Sequence, residues 1–116
     1  MTISIKENSW IAKIAARKLR SDAVAIVIGK TIHLHHVSKE RFLEDTRWVK
    51  HELCHIRQFQ EHGFGAFILK YLMESMRSGY YHNKYEVEAR NAETESVPEE
   101  LIAALKGQIS STETLS

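Results

Sequence analysis

The chain has 116 residues, 43% apolar and 27% charged, with a formal net charge of +1. That length allows one domain with a single core and excludes a catalytic domain plus a separate binding domain. The balanced charge offers no single-sign field to capture phosphate backbones or anionic membranes, so neither nucleic acid nor a membrane surface is expected as a partner.

Cys54 is the only cysteine, which rules out an intramolecular disulfide and fits a reducing compartment. The first twenty residues carry Lys6, Lys13, Arg17 and Lys18 with no unbroken apolar stretch, so they do not read as a signal peptide. The apolar run FGAFILKYLM is broken by Lys70 and falls well short of the ~20 residues that span a bilayer. A cytoplasmic protein without a membrane span is the expectation.

In chain order, Ser9 can cap a helix over about 9–20, with Trp10, Ile14, Ile11 and Leu19 as its apolar stripe. AVAIVIGKTIHLHHV then reads as a β-hairpin turning at Gly29-Lys30, with Ile32, Leu34 and His36 on one face and Thr31, His33 and His35 on the other. A turn or short helix begins near Ser38. Asp45 or Thr46 can cap a longer helix to His62, with Gly63 where helices commonly stop. Phe64 to Met76 is apolar around most of its circumference, which predicts a largely buried helix ending near Ser78-Gly79. A more polar helix follows from about Asn83. Ser96-Val97-Pro98-Glu99 has the capping spacing for another helix to Gly107, and 108–116 reads as a mobile tail. Residues 1–116 thus form one α+β domain, a small antiparallel sheet or hairpin packed on helices.

Within VKHELCHIRQF, His51 and His55 form an H-E-x-x-H motif, which roughly 5% of shuffled versions of this composition would also contain. Helix phase decides more than the motif does. At 100° per residue, Val49, Leu53, Ile56 and Gln60 share one arc, while Trp48, His51, Glu52 and His55 share another. Both imidazoles can therefore reach one ion from a face separate from the core. Two imidazoles and a carboxylate suit Zn²⁺ and leave a position open for water, and Glu52 stands where it can act as general base. The plainer alternative is two ordinary histidines on an ordinary helix.

The third ligand discriminates among zinc peptidases. The continuation H-E-x-x-H-x-x-G-x-x-H fails, because Gln58 replaces the glycine and Glu61 the last histidine. Further on, YEVEARNAE offers Glu86 and Glu88, about 200° apart on a helix, so only one can face the ion.

A helix, a hairpin, the HELCH helix, an apolar backing helix and a glutamate helix, over roughly residues 8–95, resemble the gluzincin metallopeptidases and their single-domain form, the minigluzincins. The resemblance implies a zincin-like fold and zinc-dependent peptide-bond hydrolysis, with peptides or unfolded proteins as substrates. Many gluzincins carry E-x-x-x-D, the glutamate binding metal and the aspartate supporting a histidine. Aligned on E-V-E-A-R, Glu86 is the implied ligand, Glu88 the fallback, and Arg90 stands in place of the supporting aspartate. The resemblance also assigns TIHLHHV at 31–37 to the strand that borders the cleft and takes an extended substrate by strand addition. Minigluzincins include zymogens in which a chain end crosses the cleft, and residues 97–116 could play that part; a surface helix with a frayed tail is the simpler reading.

Other residues read more plainly. His33, His35 and His36 could form a second metal site but fit strand-face positions. Cys54 points away from the ligands and fits a small buried hydrophobe. Tyr80, Tyr81 and His82 precede the glutamate helix, where a peptidase can use an oxyanion donor. The sequence thus predicts a metallopeptidase with His51, His55 and Glu86 on Zn²⁺ and Glu52 as base. The rival is a non-catalytic zincin-fold peptide-binding or regulatory module.

Overall fold

The computed structural model describes residues 3–95. The expected helix from Ser96, the tail at 108–116 and a segment 97–116 across the cleft lie outside the described residues. Among the described residues, no helix is long and apolar enough to cross a membrane.

The fold is α+β, as the sequence predicts, with three strands and five helices among the described residues: β1 (Ser4–Lys6), α1 (Trp10–Leu19), β2 (Val24–Ile28), β3 (Thr31–His35), α2 (Lys39–Glu44), α3 (Thr46–His62), α4 (Phe64–His82) and α5 (Lys84–Ala92). The hairpin forms where expected, with β2 and β3 antiparallel around Gly29, whose φ of 65° suits the turn. The sheet itself differs from the expected antiparallel one. β1, too short to show an alternation, pairs parallel with β3, so the strand order is β1-β3-β2 and the sheet is mixed. β3 is therefore central. Both its backbone edges are used, and it cannot take a substrate by strand addition at 31–37. The edge strand beside the helices is β2.

Alternation then divides the sheet's faces. Ile32 and Leu34, both fully buried, join Val27, Phe42, Val49, Ile56, Phe59, Phe67 and Tyr85 in the main core under α2–α5. His33 points to the other face and is buried beneath the start of α1, where its Nδ1 lies 2.8 Å from Ser9 Oγ. Ser9 thus stands at the predicted N-cap position, but its side chain makes no cap bond. The buried stripe of α1 is also not the predicted one. Ala12 and Ala16 face the sheet while Trp10 is 67% exposed and Ile14 52%. Small side chains at i and i+4 let the helix lie close on the strands, and a large residue there would hold it off.

α2 and α3 start with the caps that the sequence supplies: Ser38 Oγ accepts from Arg41 N and Asp45 Oδ1 from Trp48 N. Gly63, at φ 88°, ends α3 and separates it from α4. α4 carries a kink at Gly79 (φ 80°, ψ 169°), near its predicted end. It is not the largely buried helix that its composition predicts. Phe67 is buried, but Leu69, Leu72, Met73 and Met76 are exposed. A helix against one side of a small core buries one arc, and apolar residues on the opposite arc stay outside whatever their hydropathy.

Candidate metal centre

α3 is buried on two sides of different chemistry. Val49 and Ile56 enter the main core, whereas Glu52, His55 and Gln58, also buried, are polar. This second side meets α5, which runs antiparallel to α3, since Gln58 bonds near its start and His51 spans toward its end. The start of α5 is fixed by Asn83, itself fully buried: its Oδ1 caps Tyr85 N at 2.8 Å, and its Nδ2 donates to Tyr71 O and Ser75 Oγ. Glu86 consequently falls in the first turn of α5, where the helix dipole favours a carboxylate.

There the three expected residues meet. Glu86 Oε1 lies 3.1 Å from His51 Nε2 and 3.2 Å from His55 Nε2, and the three donor atoms all lie within 4.8 Å of one another. His51 and His55 are thus brought together with Glu86. Glu88 is not in the group; it is exposed and accepts from Gln58 Nε2 at 2.6 Å.

The far nitrogens of the two imidazoles determine what the near ones can do. His51 Nδ1 lies 2.8 Å from Glu93 Oε2, and a carboxylate only accepts, so Nδ1 carries the proton. His55 Nδ1 lies 2.8 Å from Gln58 Oε1; the amide's nitrogen is already committed to Tyr85 O and Glu88, so its oxygen faces the ring and again Nδ1 donates. In the neutral rings, both Nε2 atoms therefore present lone pairs to a carboxylate oxygen. Three acceptors converging on one point repel unless something positive lies between them, either protons or a cation.

The electrostatics of these side chains express the same demand. Burial opposes charging His51, yet its hydrogen bond to Glu86, with Glu52 and Glu93 nearby, raises its pKa from 6.5 to about 9. Burial likewise works against His55, and the Glu86 bond raises it. Glu86 is raised by burial but held well below the usual carboxylate range by the two histidines. Glu52 shows the reverse balance: burial pushes it up to about 7 against the pull of His55 and His51.

Three contributors were not anticipated from sequence. Glu93 and Gln58 meet the far nitrogens of the histidines, and Tyr71 OH donates to Glu86 Oε2 at 2.5 Å. Glu93 could have been found by phase, since seven residues beyond Glu86 is nearly the same helix face. Gln58 is visible in the sequence only as a departure from the glycine of another motif. Tyr71 had none, being one aromatic in an apolar helix. Arg90, in the place of the expected aspartate, turns instead to the α4–α5 corner, its guanidinium 4.0 Å from the centre of the Tyr81 ring. Cys54 is a buried thiol, as expected, and burial raises its pKa to about 11. Among the described residues His33, His35 and His36 join no metal-capable group.

The triad opens into a cavity of about 250 Å³, which Glu52 and Tyr80 also line. Apart from Tyr71, its other walls are apolar, among them the whole of β2, Leu19 from α1, and Phe67, Ile68 and Leu72 from α4. Compared with protein-family models, curated proteins and solved structures, the chain matches none of them.

Proposed function

We propose that the chain is a zinc-dependent metallopeptidase of gluzincin type, in which His51, His55 and Glu86 hold Zn²⁺ and Glu52 is the general base. The observation that carries this reading is the convergence of two Nε2 lone pairs and a carboxylate oxygen on one point beside a cavity. The donor set fits zinc, since neutral imidazoles and one carboxylate are its common catalytic ligands and leave a position open. Bound there, the ion would polarise a scissile carbonyl and acidify a water.

The remaining work falls to side chains. Glu52 reaches the cavity without belonging to the triad; it accepts a proton from the attacking water and passes it to the amide nitrogen as the C–N bond breaks. Tyr71 keeps one oxygen of Glu86 occupied, so that the other faces the histidines. The outer edge of β2, which pairs with no strand among the described residues, offers backbone groups to an extended peptide, and the apolar walls receive its apolar side chains. Unfolded segments are the substrates that present both.

Purified protein is expected to carry about one zinc per chain, lost on His51→Ala or His55→Ala. The zinc-loaded protein is expected to cleave an unfolded substrate, either as the full chain or once residues 97–116 are removed, and Glu52→Ala to be silent while keeping its metal. A native protein with no affinity for zinc would sink the reading. Zinc without cleavage by any form would favour a binding module.

A further inference from the structure

We propose that Glu93 is a positioning residue of this centre, replacing the supporting carboxylate that the sequence lacks at Arg90. The inference rests on the metal reading above. A residue four beyond Glu86 lies one turn along α5, and in this chain that residue is Arg90, directed at Tyr81. A residue seven beyond lies two turns along and within about 20° of the direction of Glu86. Glu93 occupies that position, with one oxygen 2.8 Å from His51 Nδ1 and the other 3.9 Å from an Arg47 guanidinium nitrogen. His51 thus has a carboxylate from α5 or its C-cap beside each ring nitrogen.

The location itself argues for a role in the site. Glu93 is the C-cap of α5, the end at which exposed carbonyls make a carboxylate unfavourable. His51, largely buried, is what this carboxylate engages there. By accepting a hydrogen bond from Nδ1–H it fixes the ring's tautomer and plane, leaves Nε2 free to ligate and raises its basicity. Gln58 serves His55 similarly, but as a neutral amide, so the charge-assisted support falls on His51 alone.

The test is zinc affinity of the full chain, read by competition with a chromogenic chelator. Glu93→Ala is expected to weaken binding roughly 10–100-fold, and Glu93→Gln, which keeps an acceptor, to fall between it and wild type. Glu95→Ala, which removes the same charge two residues on, is expected to stay within about twofold, because an exposed charge that touches no ligand acts only through screened solvent. In the metal-free protein, the His51 Nδ1 proton is expected to exchange faster with water in Glu93→Ala than in wild type. Wild-type affinity in Glu93→Ala, or an equal loss in Glu95→Ala, would overturn the proposal and leave the metal reading standing. No zinc binding by wild type would remove both.

Discussion

The two groups of histidines are made of the same chemistry and do different things. On α3, His51 and His55 lie one turn apart, and α5 brings Glu86 between their Nε2 atoms and Glu93 to a far nitrogen. On β3, His33 is buried against Ser9, while His35 stacks on His36 at 4.7 Å between ring centres. Histidines close together in sequence therefore do not make a cation site. What a candidate site needs is a second element whose carboxylate meets the near nitrogens while other groups occupy the far ones. The strand group has no such element among the described residues.

The largest effect that could break this contrast is on metal binding. Glu86→Gln keeps the shape of the side chain but removes the shared negative charge. Zinc affinity is expected to fall by more than ~100-fold, since loss of a ligand should exceed the ~10–100-fold typical of an outer partner. His35→Ala and His36→Ala are expected to leave metal content unchanged by elemental analysis of the purified proteins. Zinc that followed the strand histidines instead would reverse the assignment.

A smaller effect compares the groups that orient each set. Gln58 is 1% exposed, and truncating it to Ala would leave the His55 Nδ1 proton buried without its partner. That is expected to cost ~1–3 kcal/mol of stability, measured by denaturant midpoint in the presence of a chelator. Ser9→Ala, which removes one neutral partner from His33, is expected to cost ~1 kcal/mol in the same assay. A larger loss at Ser9 than at Gln58 would mean that the strand histidine is the more tightly organised of the two.

How legible these features were in the sequence depended on how local they are. The caps of α2 and α3, the Gly29 turn, the hairpin and the helical phase of His51 and His55 are set within a few residues, and the structure has them. The parallel pairing of β1 depends on Thr31–His33, far along the chain, and three residues carry no period. The outer face of α4 and the alanine face of α1 were misread for a related reason. Hydropathy ranks side chains, whereas burial depends on which arc another element covers, and a sheet at close range selects Ala12 and Ala16 over Trp10. At the site, Glu86 could be named only with its rival Glu88, because choosing between them requires the rotation of α5, fixed by Asn83 on Tyr71 and Ser75. Glu93 shares the helical phase of Glu86, but its pairing with His51 needed the antiparallel register of α3 and α5, which lies beyond any local pattern.

The smallest predicted effect is pH-dependent and sets the strand histidine apart by sign. Burial, and then the positive charge of Lys6, its register partner on β1, lower the pKa of His33 below 6.5. The folded chain therefore resists a proton that the unfolded chain accepts near 6.5. The contribution of His33 is complete above 6.5, declines as pH falls below it, and levels off once pH passes beneath the folded value. Exchange with His33→Gln, which cannot titrate but keeps a polar contact for Ser9, isolates this term. The stability of wild type relative to the variant, from urea midpoints, is expected to be flat between about pH 8 and 7 and to decrease between about pH 6.5 and 5. Lys6→Met should shrink the decrease, because it removes the second of the two causes. A relative stability that rose on acidification would place His33 with the helix histidines, whose protonation the fold favours, and would remove the distinction between the two groups.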